Sequence, residues 1–368
     1  MRILVYGAAG ELYGGIESFL LNMNDHMSDA CVFDYVINGD RCIYEERVRR
    51  RGGRMYFVTS YKKSPLRFLS DSVRTARLAK PDHPVAYFNL FSMCHIAPVL
   101  ICKALGYRIV LHSHNNDVPN KSKAYRLIHK LGRLLLSGMR CLRLTNSPAS
   151  GIFMFGRNFT GDKSAEMIYN AIEARKFQFI PEFRQKKRSE LGLGDNLVIG
   201  FAGRLCIQKN PLFLLEIFAA VNAKRPDSVL LVAGEGTMKD EMTEKIKALG
   251  ITGSVRFLGH RTDMSELYQA MDRFVLPSLF EGLGIVLVEA QASGLPCFAS
   301  AGVIPEEVRI SEKLLQFIPL NSSPQMWAER ILQTPEEARE GWSDVVEAGQ
   351  FNISTEAERL EKLLTVWR

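Results

Sequence analysis

Eleven short apolar runs recur along the chain: RILVYGA, CVFDYVI, RMYFVT, VAYFNL, RIVLHSH and LRLTNS first, then LVIGFAG, SVLLVAG, VRFLG, RFVLPS and LPCFAS. Between them lie stretches long enough for crossover helices. Strands that read as continuous apolar segments at this spacing call for parallel sheets covered by helices on both faces. At 368 residues the chain has the length of about two domains of roughly 150–200 residues each, so two such sheets are expected. The break is expected in 171–195, AIEARKFQFIPEFRQKKRSELGLGD, which is charged, contains Pro181 and ends in a glycine turn before a fresh strand. Residues 1–172 form the first domain on this reading and 173–345 the second. The tail 346–368 ends in EAERLEKLLTVWR, an amphipathic helix with Leu360, Leu363, Leu364 and Trp367 on one stripe. That stripe must be buried, and packing back on the first domain is expected.

Composition narrows the class. Hydrophobic residues make up 46% and charged residues 24%, the balance of a soluble globular chain. No apolar run reaches the roughly 18–20 residues of a membrane span, and MRILVYGAAG reads as a strand and turn rather than a signal peptide. A cytoplasmic location is expected. The seven cysteines show no CxxC or Cys/His ligand spacing, so reduced thiols are expected rather than disulfides or zinc. Of the net charge of +7, much sits in residues 41–80, where twelve Lys/Arg face only Glu45, Glu46 and Asp71. This run is either a solvated helix face or a docking surface for anionic lipid or a phosphate-bearing acceptor. Nucleic acid is not expected, since no nucleic-acid-binding signature accompanies the charge.

In open doubly wound sheets, ligands bind beyond the carboxyl ends of the strands. Polar residues there carry the functional information. After the first strand, GAAGELYGGIESFLLN places Gly14 and Gly15 at a helix start, where the backbone can approach a ligand and N–H groups attract anions; a plain glycine turn reads the same way. After the fifth strand, His112 and His114 stand two apart and share a face if the strand persists. With no carboxylate or third histidine nearby, hydrogen bonding to a ligand is preferred over metal binding. In VIGFAGRLCIQKNP, Arg204 leaves a strand, and Lys209 and Asn210 precede Pro211 at a helix start. Two cations and a helix N-terminus at one place suit a diphosphate. Gly234 and Gly236 in VAGEG, and Leu258 and Gly259 in VRFLGHR, end strands where a flat ring could lie against the backbone or where a routine turn could sit. Finally, FEGLGIVLVEAQASGLP sets Glu281 and Glu289 on either side of an apolar spacer. A buried charge without a partner is costly, so this pair asks for a function.

Taken together, GGIESFLLN, HSHNN, GR…QKN, VAGEG, FLGHR and FEGLGIVLVEAQASGLP resemble the retaining glycosyltransferases of family 4, nearly end to end. IYNAIEARKF and LPSLFEGLGIVLVEAQASGLPCFAS resemble the branch that assembles bacterial capsule, exopolysaccharide or O-antigen units. The resemblance implies the GT-B fold: α/β, two Rossmann-like doubly wound parallel-sheet domains facing a central cleft. It implies a nucleotide-diphosphate sugar donor, a UDP-sugar by preference, a lipid-linked glycan acceptor, and peripheral contact with the anionic inner membrane surface. No cofactor or metal is expected, the cations taking the metal's place. Carried over residue by residue, Arg204 and Lys209 would hold the diphosphate, Glu281 the sugar hydroxyls and Glu289 the ribose. Gly282, Leu283, Gly284 and Ile285 would supply backbone amides at the helix start. His114 would be the cleft histidine near the donor sugar, with His112 a possible partner. The segment SAGVIPEE departs from the family pattern, which often has Asp or Thr there, and leaves base and sugar open. Three other readings stand beside this one. The glutamates could be a glycosidase-like acid and nucleophile, which needs carboxyls about 5–5.5 Å apart. The chain could be a GT-B nucleotide-sugar epimerase or hydrolase. Or it could bind nucleotide sugar without catalysis.

Overall fold

A computed structural model describes residues 1–11, 14–116, 122–157, 159, 165–336 and 338–367. The chain divides into two compact units, one of Met1–Ala171 with Ile353–Arg368 and the other of Ile172–Asn352.

The first unit is built on β1 (Arg2–Tyr6), β2 (Val32–Asn38), β3 (Met55–Val58), β4 (Val85–Leu90), β5 (Arg108–Ser113), β6 (Leu142–Thr145) and β7 (Ala165–Met167). They form one parallel sheet in the order β3-β2-β1-β4-β5-β6-β7. The order reverses between β1 and β4. Ile3, Val5, Phe33, Tyr35 and Tyr87 belong to one core cluster, and Leu4, Val36, Ala86, Phe88 and Ile109 to a second. That alternation is what a sheet covered on both faces requires. The C-terminal helix Ile353–Val366 packs against the helix Gly15–His26. Ala357, Leu360 and Leu364 join its core cluster, with Leu363 and Trp367 half-buried beside them. Polar ties fasten it: Tyr169 N donates to Glu356 Oε2 at 2.8 Å, and Arg359 pairs with Glu166 at 3.0 Å.

The second unit holds β8 (Leu197–Ala202), β9 (Ser228–Ala233), β10 (Val255–Gly259), β11 (Arg273–Leu276), β12 (Cys297–Ser300) and β13 (Leu315–Ile318). These lie parallel in the order β10-β9-β8-β11-β12-β13. Its switch point lies between β8 and β11. The units divide at the start of the 171–195 stretch, between Ala171 and Ile172, and the rest of it belongs to the second unit. Pro181 opens the helix Pro181–Glu190, a position proline tolerates because the first-turn N–H has no intrahelical partner. Arg184 and Arg188 of this helix clamp Asp272, at 2.5 and 3.2 Å, and so tie it to the start of β11. The chain returns to the first unit after Asn352, seven residues later than the sequence pattern suggested.

Edge strands β7 and β13 are the two the apolar runs did not reveal. AEM is three half-buried residues and LQFI carries a glutamine. An edge strand has one paired neighbour and needs no continuous apolar run. All seven cysteines are free thiols, and no helix among the described residues is long and apolar enough to cross a membrane.

The basic run is largely neutralised in place. Arg41, Arg47, Arg49, Arg50, Arg51, Arg54 and Arg74 each pair with an acid: Glu11, Asp25, Glu45, Glu46, Asp29, Asp82 and Asp71. Lys80 lies over the Tyr107 ring. Lys62, Lys63, Arg67 and Arg77 are left without an ion-pair partner among the described residues.

Candidate active site

At the switch point of the second sheet, the loops leaving β8 and β11 are stitched to each other. Leu279 N donates to Gln208 O at 2.8 Å, and Gln208 Nε2 donates to Phe280 O at 3.0 Å. These bonds bring together side chains 72 residues apart: Lys209 Nζ donates to Glu281 Oε1 at 2.5 Å, and Ser278 Oγ donates to the same oxygen at 2.7 Å. Both charged side chains are nearly buried, 13% and 7% exposed. The pair therefore meets the condition under which removing one partner strands a charge.

Arg204 behaves differently. It is exposed, and its guanidinium has no hydrogen-bond or ion-pair partner among the described residues. Its planar fork of five donors is carried by the same loop as the paired Lys209, five residues before it. Asn210 follows in the left-handed conformation (φ 53°), the one non-glycine with positive φ among the described residues. Asparagine tolerates that region better than most residues. It turns the chain into the helix Pro211–Lys224, with Pro211 in the first turn as the sequence suggested.

Glycines at the neighbouring strand ends are explained by the protein's own backbone. A Cβ on Gly234 (φ +138°) would lie 2.0 Å from Gly203 O, and one on Gly236 2.3 Å from Leu205 O. Backbone bonds cement the approach: Gly203 N to Ala233 O at 3.0 Å, Leu205 N to Glu235 O at 2.9 Å, and Gly234 N to Gly259 O at 2.8 Å. The loops after β8, β9 and β10 thus form one interlocked rim. Leu258 sits at an irregularity in β10, and Gly259 adopts φ +66°.

Beyond Glu281, Gly282 and Leu283 are buried, and Gly284 (φ 85°) caps the helix Ile285–Ala292. Glu289 lies on that helix, one turn in from Ile285. Its own partner is Tyr268, whose hydroxyl donates to Glu289 Oε2 at 2.8 Å. Glu289 is half-buried as a residue, but its carboxyl is withdrawn from water. Desolvation pushes it up to about 7, against the lowering effect of the Tyr268 hydrogen bond. The two glutamates thus keep separate company: Glu281 is matched to an ammonium, Glu289 to a phenol.

Within the first unit, His112 and His114 do share a face, their rings 4.0 Å apart. His112 is fully buried and bonds the Tyr87 hydroxyl through Nδ1 at 2.6 Å; His114 Nε2 meets Asn89 Oδ1 at 2.8 Å. His112 Nε2 and His114 Nδ1 have no hydrogen-bond partner among the described residues. Burial pushes His112 well below the ordinary imidazole range, helped by His114, and burial takes His114 down to about 3. Both rings are neutral near pH 7. The turn at Gly14 and Gly15 is partly occupied by the protein itself: the Glu17 carboxylate accepts from Ala9 N at 2.7 Å and Gly14 N at 3.0 Å. A Cβ on Gly15 would meet open space. No cluster of three metal-ligating side chains occurs among the described residues.

Sequence inspection missed Ser278, Tyr268, Gln208 and Glu17. Ser278 was visible as a polar residue three before Glu281 in LPSLFEG. Tyr268 carries no local signal, because its role depends on a helix from another part of the chain.

Two doubly wound parallel sheets with a polar cluster at a switch point define the class: this is the GT-B architecture. Comparison with known proteins makes it specific. Residues 183–343 match the family model described as "Glycosyl transferases group 1". A protein of Bacillus subtilis (strain 168) named "Putative glycosyltransferase EpsF" is 31% identical over 327 residues, 86% of this chain and 84% of that one. The chain belongs to the group 1 glycosyltransferases. An Escherichia coli UDP-Gal:alpha-D-GlcNAc-diphosphoundecaprenol alpha-1,3-galactosyltransferase is 35% identical over 138 residues, 36% of either chain. The crystal structure of Anabaena Alr3699/HepE in complex with UDP-glucose shares the fold, with a TM-score of 0.79 and 20% identity across 100% of both chains. WaaG, a glycosyltransferase involved in lipopolysaccharide biosynthesis, does so with a TM-score of 0.75 and 16% identity over 99% of each.

Proposed function

We propose that this chain is a retaining hexosyltransferase of family 4, moving a sugar from a UDP-sugar to a lipid-linked glycan at an anionic inner membrane surface during surface polysaccharide assembly. The observation that carries this reading is the Lys209–Glu281 pair at the switch point, with the exposed Arg204 on the same loop as Lys209. An arriving diphosphate offers Lys209 an anion in place of Glu281, and Arg204 a bidentate partner. Glu281, released, accepts hydrogen bonds from the donor sugar's hydroxyls. Glu289 accepts from the ribose. As the bond from the anomeric carbon to phosphate breaks, the electron pair and negative charge pass to the diphosphate, where both cations stabilise it. The acceptor oxygen bonds the anomeric carbon on the face the diphosphate leaves, and its proton goes to the departing phosphate.

The sugar classes in the names of the Escherichia coli and Anabaena relatives support UDP as the nucleotide. Melting the protein with a panel of UDP-, GDP- and ADP-sugars tests this: selective protection by UDP-sugars, and nucleotide release that requires an added glycan acceptor, is expected. Release at the same rate without acceptor would assign a hydrolase instead.

A further inference from the structure

The helix Lys123–Ser137, KAYRLIHKLGRLLLS, buries only a narrow stripe. His129, Gly132 and Leu136 face the core. A Cβ on Gly132 would fall 2.0 Å from Met93 O, so the helix lies tight on the loop after β4; the His129 ring also stacks on Phe153 at 4.4 Å. At about 100° per residue, Leu127, Leu131 and Leu134 point away from that stripe, and Ile128 and Leu135 continue the apolar face along one side. All five are exposed, Leu134 at 70% and Leu135 at 68%. A globular chain seldom places five large aliphatics on the outward face of one helix without a partner for them.

Charge tells what that partner is. Lys123, Arg126, Lys130 and Arg133 run along one flank, between the buried stripe and the apolar face, and none has an ion-pair partner among the described residues. Residues 118–161 contain eight Lys/Arg and no Asp or Glu. In the 41–80 run, by contrast, seven cations are paired, three with acids of the run and four with acids from outside it. An apolar face flanked by uncompensated cations is the pattern of a helix lying in the plane of an anionic bilayer, its aliphatics among acyl chains and its cations at headgroup level.

We propose that the helix Lys123–Ser137 is the surface by which this protein seats on an anionic phospholipid bilayer. This deepens the membrane contact proposed above by naming its surface. Its test uses plain phospholipid, so it stands or falls apart from glycosyl transfer.

The full chain is floated with vesicles of phosphatidylcholine alone and of phosphatidylcholine with about one-third phosphatidylglycerol. Parent protein should bind the second and not the first, and binding should weaken as salt rises past the point where the Debye length falls below about 10 Å. Replacing Leu131, Leu134 and Leu135 with Gln should weaken binding at least about tenfold. Arg126→Glu with Lys130→Glu should weaken it by about fivefold or more for each cation lost. Melting temperature checks that each variant is folded. Leu134→Trp gives a direct reading that needs no loss of function: the emission of the introduced indole should shift to the blue on the anionic vesicles. Equal binding by the leucine variant and parent, equal binding to both vesicle types, or an unshifted emission from the Leu134→Trp variant would overturn the proposal. So would self-association of the parent that the leucine variant abolishes while vesicles bind neither, since the face would then belong to a second copy of the chain.

Discussion

Lys209 Nζ sits 2.5 Å from Glu281 Oε1, joining the loops that leave β8 and β11. Seventy-two residues separate them in sequence. The contact makes each side chain answerable for the other's charge, whereas nearby Arg204 is under no such constraint. The two cations therefore have different mutational signatures.

Arg204→Ala should leave the melting temperature within a degree or two of the parent, because an exposed side chain without partners carries little stability. Turnover should fall about 100–1,000-fold if the guanidinium stabilises charge on the leaving diphosphate. Steady-state rates beside melting curves check this. Folded protein turning over at the parent's rate would remove Arg204 from the site.

Lys209→Met should damage both properties. It leaves the nearly buried Glu281 carboxylate with Ser278 alone, a loss of about 3 kcal/mol by analogy with other broken buried pairs. Adding Glu281→Gln should return much of the stability but none of the activity. A double-mutant cycle in urea measures the coupling. Strict additivity would mean the pair contributes nothing to the fold.

Glu289, raised to about 7 by desolvation, makes two signed predictions. In folding, a carboxyl whose native value lies above its unfolded one favours the native state when protonated. Stability is therefore intact at pH 4 and falls as pH climbs from the ordinary carboxyl range to about 7, by about 3 kcal/mol. Glu289→Gln should flatten that decline. In binding, hydroxyls donate best to the ionised form, so nucleotide affinity should drop about tenfold per pH unit below about 7. The same substitution should weaken binding at pH 8 and erase the pH dependence. Calorimetric titrations from pH 5.5 to 8 read the second effect; a parallel slope in the glutamine variant would assign it to another group.

Gly236→Ala tests the interlocked rim. The new methyl would stand 2.3 Å from Leu205 O, so the loop carrying Arg204 has to move. Overpacking of this kind costs about 1–3 kcal/mol, and activity should fall with it. Gly15→Ala, whose Cβ meets open space, should be near neutral for stability.

Much of this was legible in the chain because parallel strands buried on both faces announce themselves as apolar runs, and because residues after a strand end have few structural reasons to be charged. Arg204, Lys209 and Glu281 stood out that way, and Glu289 as the acid on the far side of an apolar spacer. Their partners did not. The Lys209–Glu281 contact depends on β11 lying beside β8 across the reversal in strand order, and nothing in LCIQKN or LPSLFEG states that adjacency. Tyr268 is equally silent, since its hydroxyl bonds a carboxylate of a different helix. The break expected within 171–195 falls at its start, between Ala171 and Ile172, and Pro181 marks a helix start rather than the boundary itself. For Gly234 and Gly236 the sequence left a ring contact and a routine turn open, and on the Cβ side of each stands the carbonyl of Gly203 or Leu205. In the 41–80 run four of the pairing acids, Glu11, Asp25, Asp29 and Asp82, lie outside the run and do not show in its local sequence.

Arg204 and Lys209 together are proposed to hold the diphosphate. Isothermal titration of the full chain with UDP and with uridine measures this most directly. UDP should bind at least about 100-fold more tightly than uridine, and Arg204→Ala combined with Lys209→Met should erase the difference while leaving uridine binding in place. Equal affinity of the parent for UDP and uridine, or an undiminished preference for UDP in the folded double variant, would contradict it.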